Sequence, residues 1–570
     1  MKATDYIVSM IEETGCSVIF GYIGGSIADL IDSIYQSKKI RFVQTYHEQA
    51  AAYAANGYAQ VSGNIGIAIS SSGPGAINLL NGIANAYFDS IASLFITGNV
   101  HTYSSRCDRE LRQNAFQETD IVEMVSGITK YAVRIEDERH LQYCLMKAIY
   151  VAQSGRPGPV LIDIPYDIQR KDIELQEIGC FKGTEHIKVD EKILNKFDAL
   201  LSKSKKPLIL VGGGARGAAV HIRKFVDSNH IPVVSSLRAL DVVGDDRIGF
   251  IGSYGNRAAN MSVYHCDLLI VVGARLDERQ IGYNQDDFAP DAVIVRIDND
   301  INEIYHNCTN NLGILADAVD FFESYNSLDY SHDFSQWKEL LIEWKNIIDP
   351  FGETWPFANR FIRSITEKYG AAKILVADVG QNQMITAQAA VIKDRDFFLC
   401  SSGLGGMGYS LPAAIGAYYG DPSKTIICVC GDGGIQMNIQ EMQTCVREKI
   451  PIKIVILNNH SLGMIRNLQD KLFEGRYFAS VEGYSTPDFG QIATAYGMEF
   501  IRINDICEYD LVLEAFGSSE AVVIEVGIPM MDNVYPEPGE KIYLQNPELN
   551  RSEVDMIQKS IQIFDSGEWM

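Results

Sequence analysis

Nowhere does the chain carry the run of about twenty uncharged apolar residues that a membrane-spanning helix needs, so no membrane partner is expected. Metal-ligand pairs of the CxxC kind are missing too, and the 11 cysteines are odd in number and scattered. Several of them (Cys16, Cys266, Cys428, Cys430) lie in or beside apolar segments. That placement suits reduced, structural thiols and argues against a disulfide framework or a zinc site. Low-complexity tracts and identical repeats are absent. Positive charge is in deficit: 49 Lys and Arg against 73 Asp and Glu leave a net charge of −24. Such a balance disfavours non-specific binding to nucleic acid or to an anionic membrane, and it says nothing about substrate charge. The start, Met1-Lys2-Ala3-Thr4-Asp5, leads into an amphipathic helix and not into a signal-peptide core, which makes the cytoplasm the expected compartment.

What is present is an ordinary globular composition, 46% apolar and 21% charged, over 570 residues, too long for one core and long enough for about three to four domains. Thr4 reads as an N-cap for a helix to about Glu13, Gly15 as its stop and Val18-Ile19-Phe20 as the first strand. Further apolar stretches at 41–45, 66–70 and 93–97 alternate with helical patterns, the mark of an α/β doubly wound parallel sheet. In such sheets ligands lie at the carboxyl ends of the strands. This domain is expected over 1–169, followed by a linker to about 189. A second α/β domain, 190–325, opens with the strand 207–211 and Gly212-Gly213-Gly214-Ala215-Arg216-Gly217, a GxGxxG pattern that tight turns also use for packing alone. Strands at 267–272 and 293–297 follow, the latter ending in Asp298. A helical linker is expected over 325–353, a third α/β domain over 354–530, and a polar tail without strand periodicity over 531–570.

The third domain holds the most specific pattern. An apolar run over 426–430 suits a buried parallel strand and stops at Gly431-Asp432-Gly433-Gly434, where backbone approaches a ligand without side-chain obstruction. A helical run over 437–449 and a second strand over 452–457 lead to Asn458-Asn459. Strand, crossover helix and parallel strand place both strand ends on one edge of the sheet, so Asp432 and Asn459 are expected to meet there. Hard oxygen ligands in that setting suit Mg²⁺ held partly by the phosphates of a cofactor or substrate.

GDG followed by NN across one such unit resembles the fingerprint of thiamin diphosphate (ThDP) enzymes, in which Asp432, the Asn459 side chain and the main-chain oxygen of Ser461 hold the metal. The resemblance extends along the whole chain to the catalytic subunit of the acetohydroxyacid (acetolactate) synthase family. It is carried by HEQAAAYAANGYAQVSG, SSGPGAINLLNGIANAYFD, NAFQETDI, SGRPGPVLIDIP, GARLDER, VGQNQM, SSGLGGMGYSLPAAIGA, GDGGIQMN and FEGRY, in family order. Alone, Glu48 at a strand-to-helix junction reads as a surface residue that complements the helix dipole. The resemblance makes it the cofactor activator, a carboxylate on the pyrimidine N1′ that lets the neighbouring amino group take the thiazolium C2 proton. It also implies catalytic-site roles for Gly25, Phe116 and Gln117. Val379, Gln381, Asn382, Gly433 and Gly434 become diphosphate-side contacts. Gly405 becomes a pyrimidine contact, Met407 the bulky prop under the cofactor and Met437 a further apolar contact.

The same resemblance implies three domains of the ThDP-enzyme type (pyrimidine-binding, central, diphosphate-binding) and a homodimer or homotetramer, because each site takes its pyrimidine end from one chain and its diphosphate end from another. FAD is expected on the central domain, with Gly212, Gly213, Gly214, Gly252, Gly255, Arg275, Asp277, Arg279 and Asp298 at the matching positions. Catabolic members lack FAD, and Arg275 and Arg279 also read as ordinary surface ion pairs. A regulatory subunit is not indicated.

The chain departs from the family at the acceptor pocket. Leu468 stands where a tryptophan is typical, Ser253 where a methionine is, Tyr166 for a lysine and His101 for a proline, while Phe116, Gln117 and Arg279 are retained. The expected function is a carboligase that decarboxylates pyruvate and passes the two-carbon unit to an acceptor carbonyl. Acceptor pyruvate gives 2-acetolactate, and a nucleotide-linked ketosugar or other bulky ketone is the alternative that the smaller Leu468 and Ser253 suggest. A simple decarboxylase and a pyruvate oxidase share the fold. The adjacent histidines common in the decarboxylases do not occur here.

Overall fold

In the computed structural model, which describes residues 1–106, 110–176, 189–307, 311–349, 352, 354–505, 508–535 and 549–569, three six-stranded parallel sheets account for the chain. The first is built from β1 (Val18–Gly21), β2 (Arg41–Gln44), β3 (Gly66–Ser70), β4 (Ser93–Asn99), β5 (Tyr131–Arg134) and β6 (Pro159–Pro165), in the spatial order β2-β1-β3-β4-β6-β5. The second comprises β7 (Pro207–Val211), β8 (Val233–Ser235), β9 (Gly249–Phe250), β10 (Leu268–Val272), β11 (Val293–Asp298) and β12 (Leu312–Leu315), ordered β12-β11-β10-β7-β8-β9. The third has β13 (Lys373–Ala377), β14 (Phe397–Cys400), β15 (Thr425–Gly431), β16 (Lys453–Asn458), β17 (Glu499–Ile503) and β18 (Val522–Gly527), ordered β14-β13-β15-β16-β18-β17. Their central strands are near-continuous apolar runs because helices cover both faces: β3, β4, β6, β7, β10, β13 and β16 are buried throughout.

The chain divides into two compact units. One gathers the first domain with Lys373–Asn382 and Leu399–Gly527, and the other gathers the central domain with Gln383–Phe398 and the end of the chain. In the first unit the helix Glu48–Ser62 lies along the helix Ser410–Gly420 with the two backbones in contact. Gly57 and Gly416 permit this, since a Cβ at Gly57 would strike the Ala413 carbonyl and one at Gly416 the Ala54 carbonyl. The Tyr53 and Tyr409 rings meet edge to face at 5.3 Å beside that seam, and Gln60 Nε2 donates to the Tyr409 hydroxyl at 2.9 Å.

The structure corrects several sequence expectations. Thr4 does not cap the first helix, which spans Ala3–Glu13. It lies inside that helix, fully buried, accepting a hydrogen bond from Ser33 Oγ at 2.8 Å, so a tertiary partner has claimed its hydroxyl. The helix expected over 437–449 is shorter, Glu441–Glu448, and a separate helix, Asp432–Gln436, precedes it; between them Asn438 Nδ2 is drawn to the Gly408 carbonyl at 2.8 Å. The supposed linker helix is a core element of the second unit: in Ser335–Ile348, Trp337, Leu340, Leu341, Trp344 and Ile348 are all fully buried. The tail supplies a helix, Arg551–Ser566, opened by an Asn550/Glu553 capping box and tied to that core by Trp344 Nε1 donating to Ser560 Oγ at 3.0 Å. Most of the linker expected up to residue 189 and the middle of the tail lie outside the described residues.

Seven cysteines (Cys16, Cys144, Cys266, Cys400, Cys428, Cys430 and Cys445) are free and buried. Among the described residues no helix is long and apolar enough to cross a membrane.

Candidate active site

Parallel register decides where the polar residues of the third sheet end up. Gly431 of β15 stands opposite Leu457 of β16, so Asp432 and Asn459 leave adjacent strands at one edge. Asp432 opens the helix Asp432–Gln436 and is buried there, and that burial pushes its carboxyl up to about 6 against the Tyr484 hydroxyl and the N–H groups of Gly433 and Ser461. Asn459 Oδ1 accepts the Ser461 N–H at 3.1 Å while its Nδ2 donates to Gln381 Oε1 at 2.9 Å. Asp432 Oδ2, which faces the Tyr484 hydroxyl, and Ser461 Oγ are buried with no hydrogen bond of ordinary geometry. Buried oxygens left unsatisfied cost free energy unless something outside the protein chain meets them. Among the described residues no three His, Cys, Asp or Glu side chains converge as a metal cage.

A second carboxylate, which sequence reasoning missed, organises the neighbouring loops. Asp378 follows β13, is fully buried, and accepts from the N–H groups of Val379 (2.9 Å), Gly408 (3.0 Å) and Ser410 (3.1 Å) and from Ser410 Oγ (2.9 Å). It thereby binds the 379–382 turn to the 405–410 turn. Gly405 has φ +67°, a conformation that suits glycine, and a Cβ there would lie 3.5 Å from Val379 Cγ2. A Cβ on Gly433 would meet Leu462 and lie 3.5 Å from Met407 Cε, and one on Gly434 would press on the Asp378 carboxylate at 3.0 Å. Met437 is half-exposed at the end of the same cradle. The structure thus brings Val379, Gln381, Asn382, Gly405, Met407, Gly433, Gly434, Asp432, Asn459 and Ser461 to one edge of one sheet. Leu468 lies on the following helix, Gly463–Phe473, and is 46% exposed.

At the matching edge of the first sheet, Glu48 is the first residue of its helix, behind His47, whose Nδ1 accepts the Gln49 N–H at 3.1 Å. Asn78 Nδ2 donates to Glu48 Oε2 at 2.9 Å, and a Cβ on Gly75 would lie 3.1 Å from Oε1. The carboxylate is held from one side and otherwise kept clear. The turns after β1 and β3 are joined by Ser26 Oγ and Ser71 Oγ at 2.9 Å, and a Cβ on Gly25 between them would meet open space. Phe116 is 85% exposed, and Gln117 takes φ +62° against Gly73. Glu118 fixes that loop: its oxygens accept from Ser105 Oγ at 2.9 Å and from the N–H groups of Asn114 at 2.8 Å and Ala115 at 3.3 Å. His101 and Tyr166, where the family pattern has proline and lysine, have their rings 5.2 Å apart, and the Arg170 guanidinium lies 4.0 Å over Tyr166.

In the second unit Gly212-Gly213-Gly214 follows β7, and Gly273 follows the adjacent β10. Gly214 N–H donates to the Gly273 carbonyl at 3.0 Å, and a Cβ at Gly212 would strike that carbonyl. Read from its β9 edge, this sheet has the strand order 3-2-1-4-5-6 of dinucleotide-binding folds, and β7 and β10 flank its switch point. Arg275 is paired with Asp277 at 3.0 Å, and Asp277 also accepts the Arg279 N–H at 3.1 Å. Gly252 has φ +126°, Ser253 N–H donates to the Arg279 carbonyl at 2.8 Å, and Asp298 Oδ1 accepts the Asp300 N–H at 2.9 Å.

Three sheets with these edges define an α/β enzyme built for a phosphorylated cofactor, and the comparison with known proteins agrees: the chain belongs to the thiamine pyrophosphate enzymes, matching their N-terminal TPP binding domain over 1–124, central domain over 194–324 and C-terminal TPP binding domain over 378–526. Within that class it is similar to the acetolactate synthase isozyme 2 large subunit of Escherichia coli, 34% identical over 549 residues, 94% of this chain and 97% of that one. The large subunit of Lactococcus lactis acetolactate synthase is 35% identical over 550 residues, 94% of each chain. A probable acetolactate synthase large subunit of Methanocaldococcus jannaschii is 34% identical over 553 residues, 93% of this chain and 92% of that one.

Proposed function

We propose that this chain is a ThDP- and Mg²⁺-dependent carboligase of the acetolactate synthase type, decarboxylating pyruvate and joining the remaining two-carbon unit to an acceptor carbonyl. The observation that carries the reading is the buried Asp432 Oδ2, which makes no hydrogen bond of ordinary geometry, beside the Asn459 amide at the carboxyl edge of the third sheet. Hard oxygens of this kind suit Mg²⁺ completed by a diphosphate. When bound, ThDP supplies a carbon nucleophile and an electron sink. The chain's own residues do the rest. Asp432, the Asn459 side chain and the Ser461 main-chain oxygen hold the metal. Val379, Gln381, Asn382, Gly433 and Gly434 receive the diphosphate, and Gly405, Met407 and Met437 seat the rings. Glu48, steadied by Asn78, holds the proton at the pyrimidine nitrogen, while Gly25, Phe116 and Gln117 line the reacting side. Overall, pyruvate loses carbon dioxide, a carbon-carbon bond forms to the acceptor carbonyl carbon, and the acceptor oxygen takes up a proton. With pyruvate as acceptor the product is 2-acetolactate.

FAD belongs to the same proposal. The glycine turn at the switch point of the second sheet supports it, with Gly212, Gly213, Gly214, Gly252, Arg275, Asp277, Arg279 and Asp298 as its contacts. So does a homodimer or homotetramer in which Glu48 of one chain serves the metal motif of another.

A second reading of the acceptor is favoured by Leu468, whose side chain is 46% exposed where the family pattern has tryptophan, and by the small Ser253. Purified protein given ThDP, Mg²⁺, FAD and pyruvate, with and without 2-oxobutyrate or a nucleotide-linked 4-ketosugar, decides. Acetolactate at a rate indifferent to the sugar supports the first reading. A branched sugar formed at the expense of acetolactate supports the second. Acetaldehyde or peroxide with no carbon-carbon product overturns both. Leu468→Trp is expected to shift the preference between 2-oxobutyrate and pyruvate by about 1–3 kcal/mol, roughly 10-fold to 200-fold in the ratio of kcat/KM values.

A further inference from the structure

The helix Glu441–Glu448, which follows the Asp432 motif, grips the segment of the first domain that delivers Glu48. Three of its residues make the contact. Glu441 Oε1 accepts the Tyr46 N–H at 2.9 Å, and Oε2 accepts the Thr444 hydroxyl at 2.6 Å. Arg447 donates to the Gln44 carbonyl, with its guanidinium 5.3 Å over the Tyr46 ring. Glu448 pairs with Arg41. The last two contacts are partly solvated, and such pairs add little on their own.

Glu441 differs in being fully buried. Burial pushes its carboxyl up to about 7, opposed by the Thr444 hydroxyl and by the N–H groups of Tyr46 and His47. Packing two domains together does not call for a carboxylate at such a place, since an apolar side chain would fill it without the desolvation penalty. What a carboxylate adds is a fixed acceptor for main-chain N–H groups, and those it faces belong to the two residues just before Glu48. The Thr45 hydroxyl, donating to the His47 carbonyl at 2.9 Å, closes the same turn.

We infer that Glu441 is a positioning residue for Glu48, fixing the Tyr46-His47 main chain and with it the place of the activating carboxylate. This rests on the function proposed above. It also means that one helix ties the metal-motif segment of one active site to the acid-bearing segment of another, since Glu48 serves the metal motif of a second chain.

The test compares Glu441→Leu, Glu441→Gln and Glu48→Gln. The readouts are amide hydrogen exchange of the 44–50 segment in cofactor-free protein, ThDP affinity by calorimetry, exchange of the C2 proton of added ThDP, and kcat and KM for pyruvate. Glu441→Leu is expected to speed amide exchange in that segment about tenfold. It should slow C2 exchange and lower kcat together by about tenfold or more, the scale on which misplacing a reacting group acts. ThDP affinity and KM should change little, and the melting temperature should fall only modestly as the Tyr46 N–H and the Thr444 hydroxyl lose their acceptor. Glu441→Gln keeps an amide oxygen for the Tyr46 N–H and should recover most of both losses. Should the leucine variant fail to fold, Glu441→Asp, whose carboxylate withdraws from Tyr46, makes the same comparison. Unchanged C2 exchange in the leucine or aspartate variant overturns the inference, as does a glutamine variant no better than leucine. If Glu48→Gln itself leaves C2 exchange intact, the assignment of Glu48 falls and this inference falls with it. If only Glu48→Gln matters, the functional reading stands and Glu441 is an adhesive between domains.

Discussion

The first and third sheets have the same strand order, and even a matching polar pair near the carboxyl end. In the first, Asn99 at the end of β4 donates to Asp163 on β6 at 2.7 Å. In the third, Asn458 at the end of β16 donates to Glu525 on β18, also at 2.7 Å. The arginine on the edge strand separates them. Arg502 of β17 grasps Glu525 with two bonds of 3.0 and 2.9 Å, whereas Arg134 of β5 turns to Ser105 Oγ at 3.2 Å and leaves Asp163 to Thr97 and Asn99. Burial then pushes Asp163 up to about 7. One scaffold thus fixes where polar chemistry collects, at the carboxyl ends of the strands, while the residues at those ends decide which chemistry it is. On the function proposed above, the third edge collects oxygens for a cation and the first holds a single activating acid.

That contrast breaks most severely at the two edges themselves. Asp432→Ala is expected to abolish turnover by removing Mg²⁺-dependent ThDP binding, which calorimetry with and without Mg²⁺ would register as lost affinity. Glu48→Gln should lower kcat by about 10²–10⁴-fold, the usual share of a positioned acid or base, with ThDP affinity retained. If both variants lost binding alike, the division of labour between the sheets would be wrong. Next in size comes the seam that joins them: Gly416→Ala drives a methyl into the Ala54 carbonyl and should cost about 1–3 kcal/mol, read as a lower melting temperature.

The smallest effect sharpens the polar pair. Because the folded-state value of Asp163 is raised above its unfolded one, its protonated form favours folding at low pH, and that advantage fades as pH rises through about 7. Asp163→Asn should therefore narrow or reverse its stability deficit between pH 5 and pH 8 in thermal melts. Glu525→Gln, which strands Arg502, should not.

The same contrast explains what the sequence made legible. Asp432, Asn459 and Glu48 could be placed because each sits at a junction between an apolar strand and a helix, and register carries such junctions to one edge. Asp378 ends a strand in the same way, yet its role depends on Gly408 and Ser410, which lie beyond an intervening helix and strand, and nothing local announces it. Thr4 misled because a hydroxyl near a helix start caps only if no tertiary partner takes it, and here Ser33 does. Trp337, Leu340, Leu341, Trp344 and Ile348 stand at helical spacing and mark a core stripe. The polar flanks drew attention away from it. Asn550 and Glu553 held a capping box that strand periodicity could not detect. The family's motifs made the fold and the cofactor edge readable. The helix Glu441–Glu448 and its grip on Tyr46 came only from the packing of two domains.

The buried thiols give the molecule an internal set of clocks. Cys16 and Cys144 lie in the first domain, Cys266 in the central one, and Cys400, Cys428, Cys430 and Cys445 in the third. Burial raises Cys16 to about 11 and raises Cys266, Cys430 and Cys445 as well, so little reactive thiolate exists while the sheets stay closed. An alkylating reagent can then mark each of these positions only during an opening of its own domain. Mass spectrometry of the labelled peptides would time the breathing of the three sheets separately, from one sample of unmodified protein.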